Sequence, residues 1–192
     1  MARAGLTAEV LVGAAAEQAD QAGLANVTLS ALARRFGVAD ASLYAHVKSR
    51  DDLLVRMAVR SAAEFADRLG LAVAGRSGEA ALLAFAGAYR DFAVAHPGRY
   101  AATQLQLAPA DAAASAGHQH LIQLSYAVLH GYGLAEPALT DAVRLVRSTC
   151  HGFATLETSA GFGHPRAPSE SWPHLVRALH AALAHWPTAA AS

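Results

Sequence analysis

Residues 28–54 read TLSALARRFGVADASLYAHVKSRDDLL, and the fold follows from this stretch. Thr28 is a residue type that caps helix N-termini, and apolar residues at positions 29, 32, 33 and 36 follow it at helical spacing. Gly37 ends this short helix, and only residues 37–39 separate it from a further helix predicted over about 40–47. Two short helices joined by a three-residue turn with glycine indicate a helix-turn-helix, whose second helix enters the major groove of DNA.

The helix predicted over 40–47 has little to bury. Only Leu43 and Val47, four residues apart, point toward a core, whereas Tyr44 and several small residues lie on the other side. Packing alone does not explain an aromatic side chain turned outward on so short a helix. Between residues 34 and 60, cations outnumber acids: Arg34, Arg35, Lys48, Arg50, Arg56 and Arg60 against Asp40, Asp51 and Asp52.

The order of these residues resembles the DNA-binding domain of the TetR family of bacterial transcription regulators. That domain combines a helix-capping Thr, a Gly-Val turn, a Leu-Tyr-x-His step and a basic residue ahead of an acidic-Leu run, and all are present here. The resemblance covers about residues 7–55. It implies the following DNA-contacting residues: Thr28, Asp40, Ala41, Ser42, Tyr44, His46, Lys48 and Arg50.

The resemblance assigns part of this set to the phosphate backbone. Thr28 would cap its helix and also touch a phosphate. Tyr44 and His46 would contact backbone phosphates. Arg50 stands where the family usually has a Lys that contacts the backbone in the same way.

The start of the second helix departs from the family pattern. Ala41 and Ser42 fall where the family reads base edges. Ala39 replaces the Ser that usually caps this helix, so we expect Asp40 either to compensate for the missing cap or to face a base edge or solvent. A carboxylate accepts a hydrogen bond from the amino group of cytosine.

The composition favours an all-α protein of 192 residues. Hydrophobic residues make up 54% of the chain, much of it alanine, which has the highest intrinsic helix propensity. The formal net charge is zero, so any attraction to DNA must come from a local patch. The single cysteine excludes a disulfide framework within one chain. The sequence shows neither a signal peptide nor a membrane span, and we expect a cytoplasmic protein.

The same signals predict helices along the rest of the chain. Before position 108, we expect a helix over 7–22 with Thr7 as its cap and a long helix from Ser49 to a break at 75–78. A third helix over 79–96 would end at Pro97-Gly98, and a short one would follow at 99–107. After position 108, the predicted helices are 109–130, 137–160 and, beyond a loop at 161–169, one whose apolar stripe runs to Trp186. The tail after Pro187 is expected to fray.

The family resemblance implies a homodimer. In this family the last two long helices of each chain form a four-helix bundle with those of a second copy, and here those helices would be about 138–160 and 171–185. The alternative is that both apolar stripes fill the core of one chain. The segments 95–100 and 147–162 further resemble the C-terminal domain of a TetR branch named for a Trp-His-Gly motif, although Cys150 replaces the Trp. Gly152 predicts a close approach by a neighbouring helix.

The middle helices are where this family binds an effector. The predicted pocket-lining residues combine aromatic rings with a few polar groups and favour a hydrophobic or planar small molecule. They are Phe85, Tyr89, Phe92, Tyr100, Tyr126, His130, Arg147 and His151. The alternative is that most of them are ordinary core or surface residues. No cofactor, metal site or catalytic constellation is predicted, because the histidine pairs lack further ligands and no nucleophile motif is present.

These observations predict an all-α, TetR-like protein with a three-helix helix-turn-helix domain over 1–50 and a helical ligand-binding and dimerisation domain over 51–192. Its expected function is that of a transcription regulator, most often a repressor in this family, which a small molecule releases from an inverted-repeat DNA operator. The alternative is a small-molecule-binding helical dimer without DNA binding. A helical enzyme is the reading with least support.

Overall fold

The computed structural model describes residues 5–187, and within that range all regular structure is helical, as predicted. The tail after Pro187, which the sequence predicts to fray, lies outside the described residues. The α-helices, α1 to α10 in chain order, are Ala8–Ala22, Leu29–Phe36, Asp40–Leu43, Arg50–Val73, Gly78–Ala95, Pro97–Thr103, Pro109–Ala114, Ala116–Ala127, Ala138–Thr158 and Pro168–Ala184. In this range no helix is long and apolar enough to cross a membrane.

The chain divides into two compact units. The first contains the described residues up to Ala66 together with Ala95–His120. The second contains Asp67–Val94 and the described residues from Leu121 onward. Each unit therefore combines segments that are distant in the sequence.

Local capping explains where the first helices begin and end. The hydroxyl oxygens of Thr7 and Thr28 accept hydrogen bonds at 3.2 Å from the N–H groups three residues later, as predicted for helix N-caps. Gly37 adopts the left-handed conformation, with φ 65°, and its N–H bonds back to carbonyl oxygens of α2. The predicted ends of α2 are thus confirmed.

The core of the first unit joins α1, α2 and α4. Leu43 and Val47, the two residues predicted to point inward, are fully buried in it. The other large buried side chains of this cluster are Leu11, Val27, Leu32, Leu53 and Met57. Burying two apolar side chains from so short a segment anchors α3 against its neighbours and leaves its opposite face in solvent.

Several helix boundaries differ from the prediction. Helix α6 is Pro97–Thr103 instead of about 99–107, and α10 begins at Pro168, inside the predicted loop at 161–169. Helix α3 ends at Leu43 instead of about Val47, because its last turn tightens to a bond from the His46 N–H to the Leu43 carbonyl, 2.9 Å long and three residues back. The single helix predicted over 109–130 is two helices, α7 and α8. They are separated at Ser115, whose backbone is extended.

The start of α8 shows why the helix is interrupted there. Ser115 is buried, and its hydroxyl lies 2.7 Å from the Nδ1 atom of His118. A Cβ atom on Gly117 would lie 2.4 Å from the backbone nitrogen of Ala63 in α4. This close packing of α8 on α4 sets its direction. If α7 continued straight through Ser115, the following helix could not take that direction.

In the second unit, α5 buries residues at helical spacing, among them Leu82, Phe85 and Tyr89. In α9, Val146, Cys150 and Ala154 are buried, and α10 buries Trp172, Val176, Leu179 and Leu183. Burial raises the pKa of the Cys150 thiol to about 12, so it stays protonated and unreactive.

A second row of residues at helical spacing on α9, formed by Leu145, Thr149, Gly152 and Leu156, is not covered by the described residues of this chain. Leu145, Thr149 and Gly152 are only half-buried, and Leu156 is 45% exposed. The close approach predicted at Gly152 is wrong within the chain, because a Cβ atom there would meet nothing within 4 Å. This face of α9 is left open.

Candidate nucleic-acid interface

The segment from Asp40 to Val47 presents a compact surface. Ala41 and Ser42 are exposed, His46 is half-buried, and the Tyr44 side chain is 58% exposed, the largest aromatic exposure in this unit. Because Leu43 anchors the segment from inside, the exposed residues have a fixed orientation. The surface offers hydroxyl and imidazole groups beside small side chains that allow close approach.

Asp40 links α3 to α2. Its Oδ2 atom accepts a hydrogen bond of 2.5 Å from the hydroxyl of Ser30, a residue on the exposed side of α2. The capping position, Ala39, makes no side-chain hydrogen bond. The expectation that Asp40 compensates for the missing cap is therefore wrong, since its carboxylate bonds to the neighbouring helix instead.

Arg50 points toward the backbone of the segment that precedes α2. Its Nε atom donates to the Val27 carbonyl at 2.7 Å, and its Nη2 atom donates to the carbonyls of Leu24 and Ala25 at 3.5 and 3.3 Å. Those carbonyls stand directly before the Thr28 cap. Arg50 thus holds the start of α2 against the start of α4, a role that the sequence did not indicate.

Ion pairs engage three of the six cations around the motif. Arg35 pairs with Glu17 of α1 and lowers the pKa of that carboxyl, while Arg56 pairs with Asp52 and Arg60 with Glu64. Arg34 remains exposed, and among the described residues it bonds only to the backbone of its own helix, at the Ser30 carbonyl. Among the described residues, the exposed Lys48 has no ion-pair partner. Lys48 and Arg34 are therefore the cations of this surface that remain available to an anion.

The start of α4 is held by a reciprocal cap. The Ser49 hydroxyl accepts a 3.1 Å hydrogen bond from the Asp52 N–H, and the Asp52 carboxylate accepts one of 2.8 Å from the Lys48 N–H. The bond from Lys48 is the main reason that the pKa of Asp52 is lowered, and the Arg56 pair adds to it. This cap sets the backbone next to the exposed Lys48 side chain.

The sequence analysis missed the contacts that fix α6 on α1. A Cβ atom on Gly98 would lie 2.0 Å from the Ala19 carbonyl carbon. The Arg99 N–H donates to Asp20 at 2.8 Å, and its guanidinium lies 3.2 Å from the same carboxylate. The run His96-Pro97-Gly98-Arg99-Tyr100 carried a signal, since glycine after a proline at a helix start indicates close packing, but nothing local identified the partner.

One of the predicted ligand-binding residues belongs to a different unit from the other seven. Tyr100 belongs to the first unit, where it is buried with its ring edge-on to Phe65 at 5.9 Å. The other seven belong to the second unit. Phe85, Tyr89 and Phe92 are buried on α5, Tyr126 and His151 are half-buried, and His130 and Arg147 are exposed.

Two observations bear on other kinds of site. A cavity of about 490 Å³ lies between α1 and α4, lined by residues such as Val12 and Val59, and includes none of the predicted ligand-binding residues. Within residues 5–187, no group of three or more His, Cys, Asp or Glu side chains is arranged to hold a metal ion.

Comparison with known proteins covers nearly the whole chain. Residues 11–57 match the model of the bacterial regulatory proteins of the tetR family, and residues 82–179 match that of the tetracyclin repressor-like C-terminal domain. The uncharacterized HTH-type transcriptional regulator YobS of Bacillus subtilis is 32% identical over 94% of both chains. The regulator Rv0681 of Mycobacterium tuberculosis is 36% identical over 79% of this chain and 70% of its own.

Solved structures share the fold. A protein of unknown function from Rhodococcus sp. RHA1 superimposes with a TM-score of 0.78 at 23% identity, covering 95% of this chain and 97% of its own. BioQ bound to its double-stranded DNA operator has a TM-score of 0.65 at 20% identity, covering 94% and 99%. At these identities the likeness concerns the helical architecture alone.

Proposed function

Because this chain belongs to the TetR family and is a DNA-binding transcription regulator, we propose that it binds an inverted-repeat operator as a homodimer and leaves it when a small molecule binds. Members of this family are most often repressors, and we expect repression here. The protein would act in the cytoplasm, where bacterial DNA lies.

The exposed face from Asp40 to Lys48 carries the proposal for DNA. Tyr44 is 58% exposed although a buried neighbour on each side, Leu43 and Val47, holds its backbone in place. An exposed phenol four residues before the exposed Lys48 suits a phosphate contact. We assign phosphates to Thr28, Tyr44, His46 and Lys48, and base edges to Asp40, Ala41 and Ser42. Arg50 supports them by positioning the start of α2.

The open face of α9 supports the proposal of a homodimer. Half-buried Leu145, Thr149 and Gly152 and exposed Leu156 continue along one side of the helix. A second copy of the same face would cover them, with α10 completing a four-helix bundle. A two-fold dimer also matches the two half-sites of an inverted repeat, whose centres lie about 34–36 Å apart.

The effector would bind among the aromatic residues of the second unit. Phe85 and Tyr89 lie side by side on α5, with ring centroids 6.1 Å apart. His151 is half-buried, and burial lowers its pKa, which favours a neutral imidazole able to bond an uncharged ligand group. Release from DNA requires that the ligand bind the non-operator state more tightly, typically by about 1–3 kcal/mol.

The first experiment selects bound fragments from genomic DNA of the source organism, with purified full-length protein at physiological salt and excess competitor DNA. Enrichment of a short inverted repeat is the expected result. Tyr44→Ala should abolish the enrichment, whereas Leu71→Ala, which also removes a highly exposed side chain, should leave it unchanged. A folded wild-type protein that enriches no sequence would contradict the operator proposal.

A second experiment tests ligand release. Compounds that lower operator binding are titrated into the protein with and without operator. The expected result is weaker ligand binding in the presence of operator, because the coupling is reciprocal. Equal ligand affinity in the two titrations would exclude release by this mechanism.

A further inference from the structure

We propose that Asp40 reads a cytosine in each half-site of the operator and that Ser30 is the residue that positions its carboxylate. This role requires α3 to lie in the major groove, and it therefore depends on the proposed function. It adds a base preference, which neither the family membership nor the comparisons provide.

The position of Asp40 suits base reading. Asp40 is the first residue of α3 and is exposed, and the N-terminal residues of a recognition helix are the ones that contact base edges. The next two residues, Ala41 and Ser42, are short and exposed. Their small size lets the helix start approach the bases closely enough for a short carboxylate to reach them.

The hydrogen bond from Ser30 fixes the carboxylate. The Ser30 hydroxyl donates to Oδ2 at 2.5 Å, from a helix other than the one that carries Asp40. Among the described residues, Oδ1 has no partner, and no cation pairs with Asp40. One oxygen is thus held from α2 while the other stays available as an acceptor.

The chemistry of an acceptor-only group selects one base. In the major groove, cytosine presents an amino donor, guanine presents two acceptors, and thymine presents an acceptor beside a methyl group. Adenine presents an amino donor next to the N7 acceptor, which repels a carboxylate. A fixed carboxylate therefore prefers cytosine. The negative charge of Asp40 also disfavours any placement of the helix on the DNA that brings Asp40 next to a phosphate. Placements in which Asp40 faces a base are therefore favoured.

The Asn substitution at the same position predicts a different base. With its carbonyl oxygen held by Ser30, the amide presents its NH2 donor toward the groove, where guanine offers the two acceptors N7 and O6. Asp40→Asn keeps the size of the side chain and its carbonyl oxygen, which still accepts from Ser30. The fold is therefore retained, and only the hydrogen-bonding pattern toward DNA changes.

The test is an in vitro selection from a randomised DNA duplex library, carried out with full-length wild-type protein and with four variants. Wild type should enrich cytosine at one position of each half-site, by about 5- to 100-fold over the other bases. Asp40→Asn should change that position to guanine and leave the rest of the repeat unaltered. Asp40→Ala should abolish the preference, and Ser30→Ala should keep cytosine with a smaller ratio.

Asp51→Asn is the matched control, because Asp51 is an exposed carboxylate outside α3. It removes the same charge and should not change the base preference. An inverted repeat with the same bases in wild type, Asp40→Asn and Asp40→Ala would overturn the reading of cytosine and leave the proposed function intact. If wild type enriches no repeat, the proposed function fails, and the role of Asp40 fails with it.

Discussion

Gly98 at the start of α6 packs directly on Ala19 near the end of α1, with a Cβ position only 2.0 Å from the Ala19 carbonyl carbon. The two residues are far apart in the chain, yet their backbones are in contact. Asp20 completes the joint by accepting a hydrogen bond from the Arg99 N–H and an ion pair from the Arg99 guanidinium. Helix α1 and the start of α6 therefore behave as one packed element.

Gly98→Ala should destabilise the protein. Because the added methyl group meets backbone atoms and not a flexible side chain, α6 must shift, at a cost of about 1–3 kcal/mol of unfolding free energy. Denaturant unfolding measures the change. Gly87→Ala is the control, since this glycine lies inside α5 with open space around it and should gain up to about 1 kcal/mol. Equal stability of Gly98→Ala and wild type would contradict the packing of α6 on α1.

Arg50→Lys should weaken operator binding even though the positive charge is kept. Lysine lacks the planar fork that bonds the carbonyls before Thr28, so the start of α2 loses its support. The salt dependence of the operator association constant separates positioning from phosphate contact. Its slope should stay unchanged in Arg50→Lys and Arg50→Gln but fall by about 0.9 in Lys48→Gln. A slope that falls in Arg50→Gln and recovers in Arg50→Lys would show that Arg50 contacts a phosphate.

Asp52→Asn should lower stability at neutral pH by about 0.5–2 kcal/mol, the usual range for a lost helix cap. The Lys48 N–H holds the pKa of Asp52 below its ordinary value, so the cap contributes fully above about pH 4. Its contribution is lost as the pH falls through the lowered pKa of the folded protein. Unfolding curves of wild type and Asp52→Asn should therefore converge at acid pH. Asp51→Asn should track wild type throughout, and a difference that persists at pH 2 would point to another cause.

Gly152→Leu should weaken the proposed dimer while the single chain still folds. Among residues 5–187, nothing lies within 4 Å of a Cβ atom at Gly152, so the larger side chain has open space there. Across a two-fold interface it would separate the paired helices, raising the dimer dissociation constant at least about tenfold. Sedimentation equilibrium measures this constant. Gly87→Leu on α5 should leave it unchanged, and unchanged dimerisation of Gly152→Leu would place the interface elsewhere.

Features set within a few residues could be predicted from the sequence. Thr7, Thr28 and Gly37 begin and end helices where expected, because a cap bonds only to backbone groups within one turn. Leu43 and Val47 are buried as their spacing indicated, since two apolar residues on one side of a helix need cover. The motif from Thr28 to Leu54 was sufficient to predict the family.

Contacts between distant segments could not be predicted. Asp40 is exposed, as expected, but nothing in the sequence indicated its hydrogen bond with Ser30 on another helix. Arg50 was assigned to phosphate, yet it bonds carbonyls more than twenty residues away. A carboxylate or guanidinium has several chemically equal partners, and only the packing of the helices decides which of them lies within reach.

The sequence by itself determined the all-helical architecture, the helix-turn-helix and the buried face of each helix, because helix propensity, capping and apolar periodicity act over one or two turns. The tertiary structure decided the break at Ser115, the contact of Gly98 with α1, the open space over Gly152 and the division into two units. These features depend on distances between backbones of different helices. Such distances are set when apolar faces pack together, and no local pattern encodes them.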